Sequence, residues 1–168
     1  MCVIVNENNV VIGAAPRRET VAKRLLGRGA YVLLFDGQGK LFVSRRSAHK
    51  DVYPGRLDVV ISGVVQQGEQ YADTAARELE EEVGVPCRDA AAALRTLFEF
   101  RWQDDVCDVW GCAFQLTWDG PVVFVDAEVT EGGFMSLDEL KSVLRADEDA
   151  FTPVGRHVLR RYLEQECQ

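Results

Sequence analysis

The sequence predicts an α/β protein built as an α/β/α sandwich, and three observations carry that expectation. Short β-rich runs separated by turn residues recur along the chain, and amphipathic helical patterns fall both between these runs and after them. A length of 168 residues suits one domain, residues 1–168, with a single sizeable core. Strands with helices available for both faces of a sheet give the layered arrangement.

The elements follow in order. Apolar runs at 2–5 and 10–13 flank Asn6-Glu7-Asn8-Asn9, a composition that predicts an N-terminal hairpin. Residues 16–29 hold Arg17, Arg18, Lys23, Arg24 and Arg28 among Val21, Leu25 and Leu26, a basic and partly helical segment whose charges read as a solvated face, with a substrate role as the alternative. Residues 30–35 and 40–45 flank Asp36-Gly37-Gln38-Gly39 and read as a second hairpin. A loop over 49–57 contains Pro54-Gly55, and a short apolar strand over 58–62 leads into Gly63. The spacing of Ala72, Ala75, Ala76, Leu79 and Val83 predicts a helix over 70–83 that Gly84 ends. Aromatic-rich runs at 94–102 and 106–118, split by Gln103-Asp104-Asp105, read as paired strands, and 121–125 as a further strand. Ser136 and Glu139 form a capping box that opens a helix to about residue 145, and an amphipathic helix over 153–166 follows.

Composition narrows the function classes. Apolar residues at 47% and charged residues at 27% fit an ordinary soluble protein. Nineteen basic against 27 acidic residues give a net charge of −8, which argues against a nucleic-acid polymer or a membrane surface as partner. An anionic substrate then needs local basic residues or a metal. The apolar stretch near the N-terminus has no basic region before it and does not read as a signal peptide, and nothing approaches a membrane span. Cysteines at 2, 87, 107, 112 and 167 form no CxxC pair, which predicts reduced thiols and a cytoplasmic location. Cys107 and Cys112, five apart on a strand, face opposite sides and read as small core residues rather than zinc ligands; His49 and His157 form no metal pair either.

The central helix carries the chemistry. At about 100° per residue, Glu78, Glu81 and Glu82 fall within roughly one third of its circumference, beside the apolar arc, while Glu80 points away. Like charges at this spacing destabilise a helix by roughly 0.2–0.5 kcal/mol per pair. A divalent cation reverses that sign, and hard carboxylate oxygens suit Mg²⁺, with Mn²⁺ as the alternative. An acidic solvated helix is the plain alternative.

The wider pattern is specific. Gly63, five residues, Glu69, seven residues and then Arg77-Glu78-Leu79-Glu80-Glu81-Glu82-Val83-Gly84-Val85 resembles the Nudix box, with every defined position filled. The resemblance to the Nudix hydrolase family implies the Nudix fold, an α/β/α sandwich with a mixed central sheet, here with the N-terminal hairpin added. It implies Mg²⁺-dependent hydrolysis of a phosphoanhydride bond in a nucleoside diphosphate linked to another moiety, by metal-activated attack of water on phosphorus. The partner is then a small-molecule diphosphate, and a homodimer is compatible with the family. Carried over by position, Glu81 and Glu82 are metal ligands and Glu78 is a ligand or helper of the water, with the choice of general base open. The carbonyl of Ser62 joins the metal shell, Gly63 lies against the phosphates, and Glu69 and Arg77 brace the loop against the helix. Gly63 and Gly68 serve either close approach or positive φ.

Upstream, Leu41-Phe42-Val43-Ser44-Arg45-Arg46, Lys50 and Tyr53-Pro54-Gly55 resemble a segment of type I isopentenyl-diphosphate isomerases, whose matching arginine and lysine bind diphosphate. That resemblance makes Arg46 and Lys50 substrate-binding candidates, a fork and a point charge for a diphosphate. It also makes Asp105, beside Gln103, a further metal candidate, with Glu128 and Glu131 in a later loop as weaker ones. Ser62 stands where the isomerase has its catalytic cysteine and Val64 where it has a metal-binding histidine, so hydrolysis ranks above isomerisation, and a non-catalytic nucleotide sensor is the third reading. Tyr53, Trp102, Trp110 and Phe124 are possible base-stacking residues that read more simply as core.

Overall fold

The computed structural model describes residues 1–49, 52–124 and 129–166, and for 129 and 130 the backbone alone. The N-terminal hairpin forms as expected from β1 (Cys2–Val5) and β2 (Val11–Ala15), and the Asn6 side chain closes its turn by accepting from the backbone of Asn8 and Val10, both at 3.0 Å. Helix α1 (Arg17–Lys23) occupies the basic segment and stops at Arg24, whose φ of 50° is left-handed.

Strand β3 (Gly27–Phe35) is the axis of the sheet, buried along its length apart from Arg28. Such a continuous apolar run needs cover on both faces. Alternate residues divide the core: Tyr31, Leu33 and Phe35 point to one side, Ala30, Val32 and Leu34 to the other. The turn after β3 leads to β4 (Leu41–Arg46), but the two strands pair only at Phe35 and Leu41. The expected second hairpin is therefore a corner, because another strand takes that edge of β3.

That strand comes from the run at 58–62, which is not continuous. It breaks at Val59-Val60 into β5 (Leu57–Asp58), paired with β4, and β6 (Ile61–Val64), paired antiparallel with β3. The buried Asp58 side chain accepts from the backbone of Val60 at 3.3 Å, a local bond that turns the chain from one strand to the other.

Helix α2 (Tyr71–Val83) forms where expected and ends at Gly84, whose φ is 72°. Its Ala75, Ala76, Leu79 and Val83 pack on the Ala30, Val32 and Leu34 face. The short α3 (Cys87–Ala93), opened by Pro86, was not expected from the sequence. Then β7 (Arg95–Gln103) and β8 (Asp108–Thr117) pair antiparallel, and β8 runs parallel to β3, which makes the sheet mixed. Pro121 to Phe124 is not a strand. Trp118 Nε1 donates to the Pro121 carbonyl at 3.2 Å and Val123 N to that of Val83 at 3.1 Å, so the segment caps the end of α2; Val125 lies outside the described residues.

The expected late loop is instead β9 (Val129–Met135), antiparallel to β4; its Thr130-Glu131-Gly132-Gly133 stretch has no apolar alternation to announce a strand. Ser136 caps α4 (Leu137–Ala146) with the predicted box, and α5 (Pro153–Glu166) closes the second layer, burying Val158 and Leu159 beside Leu140, Phe98 and Phe100. Among the described residues no helix is long and apolar enough to cross a membrane.

Candidate active site

The turn from β6 into α2 is shaped by two glycines acting differently. Gly68 has a φ of +94°, a conformation that side chains resist. Gly63 is needed for closeness, since a Cβ there meets Glu78 Oε1 at 1.9 Å. The carboxylate of Glu78 therefore lies against the backbone of β6.

Arg77 organises the acids. Its Nε donates to Glu69 Oε1 at 2.9 Å and its Nη2 to Glu69 Oε2 at 3.2 Å, a two-point fork. Its Nη1 reaches Glu78 Oε1 at 2.6 Å and Glu81 Oε2 at 3.1 Å. Glu69 also accepts from Thr74 Oγ1 at 2.7 Å and from the backbone of Gln66 at 3.1 Å. These bonds, the Arg77 fork first, pull its carboxyl down to about 2, and the Arg77 guanidinium is held more firmly charged in return.

The three acids of the helix differ in exposure. The Glu78 side chain is 13% exposed and that of Glu81 is 53%, while Glu82 as a residue is 7% exposed. No group of three or more His, Cys, Asp or Glu among the described residues converges to hold a metal ion. The donor set nevertheless fits a hard cation. Two of the three carboxylates are largely withdrawn from water, and the exposed Glu81 is tied to Arg77 by a bond of a kind worth about 0.2–1 kcal/mol. Glu81 can thus turn to a cation at small cost, beside the backbone of Ser62 and Gly63.

Glu78, Glu81, Ser62, Gly63 and Val64 form one end of a cavity of about 500 Å³. Glu82 and Asp105 are not in its lining; Asp105 is exposed in the turn between β7 and β8. The acids beside it have other duties. Asp104 accepts from Trp102 Nε1, from Tyr53 Oη and from the backbone of Val106 and Cys107, and Asp108, which does line the cavity, is ion-paired with Arg101.

Arg46 reaches the cavity, but its guanidinium is committed within the protein. Nε and Nη2 donate to the Val52 carbonyl at 3.1 and 2.9 Å, and Nη1 meets Asp58 Oδ2 at 3.3 Å. Burial raises the Asp58 carboxyl above the usual range, opposed by Arg46 and by a 2.9 Å bond from Thr152 Oγ1. Lys50 and Glu128 lie outside the described residues, and Glu131 is paired on β9 with Arg45 at 2.5 Å. Of the aromatic candidates Tyr53 lines the cavity, whereas Trp102 packs on His157 and Trp110 beside Val3 and Val65. Cys107 and Cys112 do face opposite layers.

At the opposite end, sequence reasoning ranked a substrate role second to a solvated face. There α1 contributes Arg17, Thr20, Val21 and Arg24, and the start of β3 contributes Arg28. Their spacing along one helix was the available signal, hidden because a basic helix usually faces solvent.

The NUDIX domain family model matches residues 25–161. The chain is 38% identical over 160 residues to a Nudix hydrolase of Yersinia pestis, covering 95% of this chain and 84% of that one. The crystal structure of a Deinococcus radiodurans protein superposes with a TM-score of 0.75 at 29% identity, covering 95% and 97% of the two chains. A bifunctional NMN adenylyltransferase/ADP ribose pyrophosphatase from Francisella tularensis, complexed with AMP and a manganese ion, shares the fold at a TM-score of 0.63 and 17% identity, over 83% of this chain and 41% of that one.

Proposed function

The chain belongs to the Nudix hydrolase family, and from that premise we propose that it hydrolyses a phosphoanhydride bond in a nucleoside diphosphate linked to another moiety. It is a hydrolase of a family that cleaves pyrophosphate bonds, generally with a divalent metal. The observation that carries the reading is the complete box with Glu78 and Glu81 at one end of the cavity, braced through Arg77 to Glu69.

Glu78, Glu81 and Glu82, with the Ser62 carbonyl, hold Mg²⁺ or Mn²⁺ in this proposal. Such a metal supplies neutralisation of phosphate oxygens and a water of lowered pKa. The missing side chain at Gly63 lets the Glu78 carboxylate lie against the β6 backbone, where the diphosphate binds in this proposal. Arg46 holds the loop before β5 in place, acting on the substrate through Val52 and Asp58 rather than as a free fork; Lys50 is the diphosphate contact of that loop, and Asp105 stays an outlying ligand candidate. With Ser62 and Val64 at the decisive positions, no observation favours isomerisation.

Residues 1–168 act as one domain, in the cytoplasm on the evidence of cysteine usage, and as a homodimer. The edge strand β2, with Val11 52% and Ile12 64% exposed, supports the last point. Phosphate or nucleotide release from a panel headed by ADP-ribose, with and without Mg²⁺, tests the activity. Full turnover by Glu82→Gln removes the assigned site.

A further inference from the structure

We propose that α1 forms a second recognition wall, which selects diphosphate substrates whose group beyond the scissile bond carries a further phosphate or comparable anion. The inference rests on the hydrolase reading and adds a substrate class to it. Arg17, Thr20, Val21 and Arg24 stand at i, i+3, i+4 and i+7, a single stripe, and all four line the cavity. On an ordinary surface helix that stripe is apolar and packs on the core. Here no residue of α1 is buried, so the helix contributes little to the core, and the face it turns inward bears arginine at both ends.

The floor between the two ends runs along β3. Tyr31 lies opposite Ser62, Gly29 opposite Val64 and Gly27 opposite Val109, all of them in the lining. From Tyr31 to Gly27 is four residues, roughly 13 Å of strand. That exceeds the length of a diphosphate, so Arg24, three residues before Gly27 in the chain, meets whatever the diphosphate is attached to.

Arg24 is held differently from other arginines of the chain. Arg46, Arg77 and Arg101 each face a carboxylate, whereas Arg24 donates to the Asp104 carbonyl and Arg28 to Asn9 Oδ1 at 2.8 Å and the Asn9 carbonyl at 2.5 Å. Arg28 points the other way, over the Tyr71 ring at 5.3 Å from its centroid, on the face of β3 that carries Ala30 and Val32. Among the described residues Arg24 has no carboxylate within ion-pair distance. Its positive charge is oriented by a neutral oxygen and left for an anion, and a guanidinium suits a phosphate monoester.

The test compares substrates that differ by one distal phosphate: NADPH against NADH, and coenzyme A against dephospho-coenzyme A. Wild type is expected to favour the phosphorylated member by about tenfold or more in kcat/KM, the worth of one charge-assisted hydrogen bond. Arg24→Ala should abolish that ratio while changing turnover of the unphosphorylated member less than about twofold, and Arg24→Lys should restore part of it. Calorimetric binding of adenosine 3′,5′-bisphosphate against AMP, without metal, gives the same ratio independently of hydrolysis. A binding preference lost in Arg24→Ala sustains the wall even if no substrate is cleaved. Equal binding of the two nucleotides by wild type, or equal losses on both members in Arg24→Ala, overturns it.

Discussion

The two walls of the cavity are built on opposite principles. On the α2 side one guanidinium is bonded to three carboxylates, the helix drives four apolar residues into the core, and a glycine is required for backbone and carboxylate to touch. On the α1 side nothing is buried and Arg24 is oriented by a carbonyl. The wall assigned to bond cleavage is thus rigid and tied into the folded state. The wall assigned to selection can change residue by residue without disturbing the core.

The largest expected effect falls on the first wall. Glu81→Gln is expected to lower kcat by on the order of 100-fold or more, because a ligand for transition-state charge is lost, while the exposed site leaves the melting temperature nearly unchanged. Steady-state kinetics with calorimetry read both quantities, and near-normal turnover would dissolve the contrast between the walls. Next in size is Gly63→Ala, whose methyl collides with Glu78. It should cost about 1–3 kcal/mol in urea denaturation and most of the activity.

A smaller effect is a pH signature. The Glu69 carboxyl is ordinary at 4.5 when unfolded and about 2 when folded, so its stabilisation is complete above pH 4.5 and fades as pH falls toward 2. Glu69→Gln should flatten the stability profile in that window, and an unchanged slope would mean that the Arg77 fork does not form in solution. Smallest is Arg24→Ala, expected to change stability by less than about 0.5 kcal/mol, since its neighbours bury nothing. A larger loss would show that α1 is part of the folded framework after all.

The site was legible where its signal is local. Glu69, Arg77 and the three helix acids sit within fourteen residues from Glu69 to Glu82, and helical period with the box spacing fixes their relation. What escaped depends on distant partners. Arg46 looked available for phosphate until Asp58 and Val52 came round to occupy it. The strand at 129–135 has no apolar alternation and exists because β4 offers it an edge. The run at 58–62 looked uniform, yet the Asp58 side chain divides it. The basic helix showed its charges but not what they face, since the cavity is closed by β3 and the 106–109 segment, far along the chain.

The register between β3 and β8 has a consequence for how the molecule is made. It joins Gly27 through Phe35 to Val109 through Thr117 by parallel pairs, each closing a loop of about eighty residues. During synthesis the most apolar strand therefore waits without its inner neighbour until the ribosome has delivered residue 117 and the tunnel has released it. Pairings of such long range form slowly and leave sticky edges open meanwhile. The nascent chain is thus most prone to aggregate during that wait, when chaperone capture matters most.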